Sequence, residues 1–181
     1  MITLNKSTTP PLPKSEHDRL QWGNLAGSSL SLAIHNATLH KSPALIIVPE
    51  NLSVITLKNE LEYLTEKESS RKILTLTDWE TLPYDRFSPH QDITSERLKT
   101  LSEIDHSDNT IVITSITTLM QTLSPKEFIN QYTFFVDVGD EINLDTIRTQ
   151  FVRSGYRNVG QVFEHGEFAI RGSILDIFPM G

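Results

Sequence analysis

The sequence is constrained above all by short apolar runs that alternate with segments of helical periodicity. The first run, Ala44–Val48, contains five apolar residues in succession and is closed by Pro49. A run of this kind is typical of a strand that is covered on both faces. Two further β-prone runs follow it, at residues 73–76 and 110–114. The alternation of strands and helices predicts a parallel α/β sheet with right-handed crossovers.

Three helices are predicted, one before the first of these strands and two between them. A glycine turn followed by a helix is expected over residues 20–40. Apolar residues recur at helical spacing over residues 50–66, which predicts a second, amphipathic helix whose polar face, with Glu60, is exposed to solvent. A third helix is expected from about residue 89 or a little later to residue 104, and its start is marked by Ser88 at the N-cap and a proline at the first helical position. The residues expected to face inward in this helix are Leu98, Leu101 and Ile104.

The last third of the chain has a different pattern. A strand is predicted over residues 132–138, Asn143 can cap a following helix, and Gly155 is placed to end that helix in a left-handed conformation. Further strands are predicted at residues 161–164 and within residues 167–178. This order indicates a second, smaller α+β unit.

Composition narrows the classes of function. The chain has 16 Lys and Arg against 23 Asp and Glu, a net charge of −7, which argues against a surface that grips duplex DNA. It has no cysteine, which excludes disulfides, thiolate catalysis and zinc fingers. Residues 1–14 contain three prolines and no apolar stretch, so a flexible tail is expected rather than a secretory signal. The expected location is the cytoplasm.

The glycine turn invites comparison with a phosphate-binding loop, G-x-x-x-x-G-K-[ST]. If Gly27 is aligned with the second glycine, Trp22 stands at the first glycine, Ser28 at the lysine and Ser29 at the magnesium-binding hydroxyl. Serine cannot supply the positive charge that holds the β- and γ-phosphates. We therefore expect an inactive, degenerate phosphate loop at Gly27, Ser28 and Ser29, or simply an ordinary loop.

Two other clusters imitate catalytic or metal sites. Residues 134–137 form an apolar stretch that ends in an acid, as in the strand that positions magnesium in nucleotide hydrolases. Without a phosphate loop, a strand that runs into an Asp/Gly turn is the favoured interpretation. Glu164, His165 and Glu167 could form an acid–base or metal cluster, but neighbouring side chains on a strand point to opposite faces. No metal is assigned.

Two longer blocks are far more specific than these motifs. The first reads D-W-E-T-L-P-Y-D over residues 78–85, F-S-P-H-Q-D-I over residues 87–93 and E-R-L over residues 96–98. The second reads G-Y-R over residues 155–157, E-H-G-E-F over 164–168, R-G over 171–172 and L-D-I-F-P-M-G over 175–181. In this order and spacing the blocks resemble the N-terminal region of the bacterial transcription-repair coupling factor family (Mfd), and the resemblance extends from about Leu20 to Gly181.

The resemblance implies two domains after the tail. Residues 15–122 would be a degenerate P-loop helicase-like α/β domain, similar to the first domain of the repair helicase subunit UvrB. Residues 123–181 would be part of a small α+β domain that binds UvrA. Such a module is non-catalytic and needs no cofactor, whereas ATP, magnesium, DNA translocation and RNA polymerase displacement would belong to later parts of a larger parent. The alternative, from the enzyme class, is an ATP-hydrolysing subunit of the UvrB kind.

The resemblance also implies the residues that meet the partner. Arg171 is expected to contact UvrA, since a guanidinium binds carboxylates bidentately, and Arg157 is the second candidate. The alternatives are an internal ion pair of Arg171 with Asp176 or Glu167, and a solvated charge for Arg157. A small sheet that ends at residue 178 would leave an unpaired edge, so self-association of the truncated chain is also expected.

Overall fold

The computed structural model describes residues 10–39, 43–65, 71–82, 84–104, 109–127, 129, 133 and 136–180. These residues form two compact units that are interleaved in sequence. The first comprises the residues up to Leu76 together with Ile104–Met120, and the second comprises Thr77–Glu103 and Gln121–Gly181. The domain boundary expected between residues 122 and 123 stays a prediction.

The helices and strands follow one another in a mixed α/β order. In chain order they are α1 (Ser29–Thr38), β1 (Ala44–Val48), α2 (Asn51–Thr65), β2 (Lys72–Leu76), α3 (Gln91–Ile104), β3 (Thr110–Ser115), α4 (Ile116–Leu119), α5 (Leu144–Arg153), β4 (Arg157–Asn158), β5 (Glu167–Arg171) and β6 (Ile174–Phe178).

The first unit contains a parallel sheet with the strand order β1-β3-β2. β3 lies in the middle, and Ile113 is paired with Ile46 on one side and with Thr75 on the other. All six residues of β3 are buried, and the fully buried Ile111 and Ile113 form the core with Leu61 of α2. The predicted strands, their parallel arrangement and the amphipathic helix between the first two are therefore confirmed.

The first apolar run does not have the burial that its sequence predicts. Leu45 and Ile47 of β1 are half-exposed, whereas Ile46 packs against the core and Val48 is part of it. β1 is an edge strand, and the residues that it contributes to the core lie on one face only. The expectation that this run is covered on both faces was wrong; in this sheet only the central strand is buried along its whole length.

Helix α3 differs from the prediction in its N-cap residue and in its buried face. It begins at Gln91, as the prediction of a start at about residue 89 or a little later allows, but His90 and not Ser88 directly precedes it, and Nδ1 of His90 accepts the N–H of Asp92 at 3.3 Å. Its buried residues are Ser95, Arg97 and Thr100, whereas Leu98 and Leu101 are half-buried and Ile104 is exposed. The spacing of the apolar residues therefore did not predict which face of this helix is buried. A buried guanidinium with its own hydrogen-bond acceptors sets which side of this helix faces inward.

The second unit carries a small mixed sheet with the order β4-β5-β6, in which β4 and β5 are parallel and β5 and β6 antiparallel. α5 precedes it. The side chain of Asn143 accepts the N–H of Thr146 at 3.0 Å, and Gly155 ends the helix with φ +87°, so both predicted caps are confirmed. Phe151 packs against Tyr156 and Phe168, with ring centroids 5.2 and 5.1 Å apart.

Two strands predicted for this unit need comment. Residues 161–164 form no strand, because the carboxylate of Glu167 accepts the N–H groups of Phe163 and Glu164 at 2.9 and 3.0 Å and folds the segment into a turn. That prediction was wrong, and the short strand lies earlier, at β4. Residues 132, 134 and 135 lie outside the described residues. Residues 133 and 136–138, which are described, are not in a strand.

Candidate functional site

The two arginines proposed as partner contacts lie in the small sheet of the second unit. Arg157 is in β4 and Arg171 is the last residue of β5, with side chains 56% and 63% exposed. Arg171 donates through Nη2 to Asp176 of β6, which is one of the two internal ion pairs that the sequence left open. Its remaining guanidinium N–H groups have no partner among the described residues.

Arg157 is held more firmly than Arg171. Its Nη2 lies 2.9 Å from the carboxylate of Glu164 and 3.1 Å from that of Glu167. Glu167 is buried and also accepts two backbone N–H groups. These two backbone hydrogen bonds, with a smaller contribution from Arg157, lower the pKa of Glu167. Arg157 thus fixes the turn that joins β4 to β5, and it is not the solvated charge of the simpler interpretation.

Arg97 was not recognised from the sequence as a structural centre. Its side chain is 1% exposed, and its Nη1 donates to the carbonyl of Thr77 and to Oε1 of Gln121. Gln121 in turn donates to Asp78 at 3.0 Å. Burial lowers the pKa of Arg97, and the charge of Asp78 acts in the opposite direction. The sequence signals for this network were the D-W-E and E-R-L motifs themselves.

The glycine turn stands directly before α1. Gly27 has φ +55°, a left-handed conformation that suits glycine, and Ser28 is the N-cap of the helix. The hydroxyl of Ser28 donates to Oε1 of Glu60 at 2.8 Å, and the buried Ser31 donates to Oε2. The expectation that Glu60 faces solvent was wrong: it is half-buried and hydrogen-bonded. These two bonds lower its pKa.

The residues of the turn do not fit ATP with magnesium. Trp22, at the position of the first glycine, packs against the core and donates from Nε1 to the carbonyl of Pro11 at 3.1 Å. Ser28 and Ser31 are bound to a carboxylate, and a carboxylate repels a phosphate. The Oγ of Ser29 is buried without a hydrogen-bond partner among the described residues. Among the described residues, no lysine or arginine pairs with the hydroxyls of Ser28 and Ser31 or with the carboxylate of Glu60.

The other two candidate clusters are turns. Asp137 and Asp140 close a turn around Gly139, in which the N–H of Asp137 donates to the carboxylate of Asp140 at 2.9 Å. His165 lies in the turn before β5, and its Nδ1 is 2.6 Å from the carbonyl of Pro179. In the described part of the chain, no three metal-binding side chains come together.

Within the same described ranges, no helix has the length and apolar character needed to cross a membrane.

Comparison with known proteins gives a match on the second unit. Residues 134–181 match the model of a family described as the UvrB interaction domain. This segment contains α5 and the whole β4-β5-β6 sheet, and therefore both candidate arginines.

Comparison with individual curated proteins covers almost all of the chain. It is 39% identical over 171 residues to the transcription-repair-coupling factor of Escherichia coli (strain K12), which is 94% of this chain and 14% of that protein. The corresponding protein of Haemophilus influenzae is 38% identical over 95% of this chain and 15% of its own length. That of Mycobacterium bovis is 31% identical over 85% of this chain and 13% of its own length. The chain thus spans only about one seventh of these relatives.

Proposed function

Because the chain belongs to the family of transcription-repair-coupling factors, we propose that it is the non-catalytic, UvrB-like N-terminal module of such a factor and recruits UvrA. The match of residues 134–181 to the UvrB interaction domain supports a recruiting role for the second unit. The observation that carries the proposal is the placement of Arg171 within that segment, exposed at the end of a strand.

Arg171 suits a protein partner for a physical reason. A guanidinium has five N–H donors in a planar fork, and Asp176 engages only Nη2. The pair orients the side chain, so less conformational entropy is lost when a carboxylate of UvrA binds the remaining donors. A recruiting surface of this kind needs no nucleotide, and the net charge of −7 suits a module that meets a protein while DNA is held elsewhere.

The first unit fits a degenerate helicase-like domain. A parallel sheet with the order β1-β3-β2 and a glycine turn at the start of a helix are features that such a domain shares. In the parent protein, ATP-driven translocation on DNA and displacement of stalled RNA polymerase would be carried out by parts outside this chain. We place its action in the cytoplasm, together with the repair proteins that it would recruit.

The test is the replacement Arg171→Ala in the full-length protein. Affinity for UvrA, measured by titration or pull-down, should fall by about tenfold or more, which corresponds to about 1.4 kcal/mol. Displacement of stalled RNA polymerase should be unchanged. Arg148→Ala, which removes an exposed arginine from α5, is the matched control and should leave both properties intact. Unaltered affinity of the Arg171 variant for UvrA would sink the assignment.

The glycine turn supports one alternative function, that of an ATP-hydrolysing enzyme. The glycine turn before α1 could belong to an ATP-hydrolysing repair subunit of the UvrB kind. Against it stand Ser28 at the lysine position and the carboxylate of Glu60 beside the turn. Titration calorimetry of the chain with ATP and magnesium separates the two functions: a measurable site would support the enzyme, and the absence of binding supports the recruiting module.

A further inference from the structure

The start of α1 receives its negative charge from another helix. α1 has no acidic residue in its first turn, and its N-cap Ser28 makes no side-chain bond to a backbone N–H of the helix. Instead the hydroxyls of Ser28 and Ser31 donate to the two carboxylate oxygens of Glu60, 32 and 29 positions further along the chain in α2. A carboxylate that is distant in sequence is therefore bound by two serine hydroxyls at the start of this helix.

The start of a helix is where phosphate groups bind in loops of the glycine-rich kind. The unpaired N–H groups and the helix dipole favour an anion there. In this chain the lysine that would hold a phosphate is replaced by Ser28. We infer that Glu60 is a built-in substitute for that phosphate, which occupies the anion position at the start of α1, stabilises the turn and excludes nucleotides.

The electrostatics of the contact agree with this role. The two hydroxyl bonds lower the pKa of Glu60, so its carboxylate is ionised at neutral pH. A second anion brought within a few ångströms of it would be repelled, since like charges disfavour each other in a shared site. The inference concerns the first unit alone. It stands or falls independently of UvrA recruitment.

The main experiment is the replacement Glu60→Ala in the full chain, followed by chemical rescue. Loss of the two hydroxyl–carboxylate hydrogen bonds, at about 1 kcal/mol in total, corresponds to a fall in Tm of about 2–4 °C in a chain of this size. Added acetate, a small carboxylate, should restore part of that loss in the variant and leave the wild-type Tm unchanged. Glu62→Ala is the matched control, because Glu62 lies on the same helix and pairs only with Lys58 at 3.8 Å among the described residues. Its Tm should not respond to acetate.

Two results would overturn the inference. One is a Glu60 variant with the same Tm as the Glu62 variant. The other is equal stabilisation of the wild type and of the Glu60 variant by acetate. If Glu60→Ala does not fold, Ser28→Ala with Ser31→Ala tests the same contact: it should lower the Tm, and the carboxyl carbon of Glu60 should then titrate at a higher pH by NMR. An unchanged titration curve in that double variant would also contradict the inference.

Discussion

Arg97 and Trp79 are stacked, with the guanidinium carbon of Arg97 4.0 Å from the centroid of the Trp79 ring. The indole ring covers one face of the buried guanidinium, and Nη1 at its edge donates to the carbonyl of Thr77 and to the side chain of Gln121. Cation–π attraction is strongest for such a desolvated arginine. The contact joins α3 to the segment that follows β2, so the D-W-E motif and the E-R-L motif form one structural element.

Replacement of Arg97 should therefore be costly. Arg97→Met keeps an unbranched apolar side chain but removes the guanidinium and leaves its two oxygen acceptors unpaired, so the free energy of unfolding should fall by about 3 kcal/mol. Urea unfolding followed by Trp fluorescence measures the loss. Arg86→Met, at an exposed position just before α3, should change stability by less than about 0.5 kcal/mol. Equal losses in both variants would show that the stacked arginine is not a structural centre.

Glu167 predicts a dependence of stability on pH. Its pKa is held below the ordinary value of 4.5 by the N–H groups of Phe163 and Glu164, so the stability that it contributes is complete above that value. It is lost as the pH falls through the lower pKa of the folded state. Glu167→Gln stays neutral throughout, so the difference in urea midpoint between wild type and variant should shrink in acid. The control is Glu164→Gln, which changes an exposed carboxylate of the same turn and should lose stability in acid as the wild type does. If the difference in urea midpoint between the wild type and Glu167→Gln stays constant with pH, the prediction is wrong.

The sequence predicted those parts of the fold that local pattern determines. Apolar periodicity located α2 and the parallel strands, and single residues with a known local role, Asn143 and Gly155, located both ends of α5. Each of these depends on neighbours within a few positions. The burial of β1 was predicted incorrectly because the residues of a strand do not determine whether it lies at the edge or in the middle of its sheet.

The parts that were missed depend on contacts between distant residues. Glu60 was assigned to solvent because its helix pattern is polar there, yet its partner Ser28 lies 32 positions away. Arg97 meets Gln121 across 24 positions, and nothing in the spacing indicates it. A strand was predicted at residues 161–164 because Glu167 was read only as the first residue of a strand. The sequence does not show that its carboxylate accepts the N–H groups of Phe163 and Glu164 and so folds the segment into a turn.

The two candidate arginines should separate into a structural and a partner-binding role. Arg157 pairs with both carboxylates of the turn, so Arg157→Ala should speed amide exchange at Phe163 and Glu164, whose N–H groups Glu167 accepts. Arg171→Ala removes one exposed ion pair, and exposed pairs contribute about 0–1 kcal/mol, so exchange at these two amides should not change. NMR-detected hydrogen exchange makes the comparison. Faster exchange at both amides in the Arg171 variant would mean that the two arginines share one structural role.

The free edge of β6 should cause the chain to self-associate. β6 is an outer strand of its sheet, and its Ile174 is 60% exposed, so in the described part of the chain this edge can pair with a second copy. Light scattering should show a mass that rises with concentration, and Ile174→Lys should suppress the rise, because a charged residue on an edge strand opposes pairing. Leu52→Lys is the control, because it replaces a leucine of helix α2 that is 70% exposed and does not lie on a strand edge. If it suppresses association as strongly as Ile174→Lys, the strand edge is not the surface responsible.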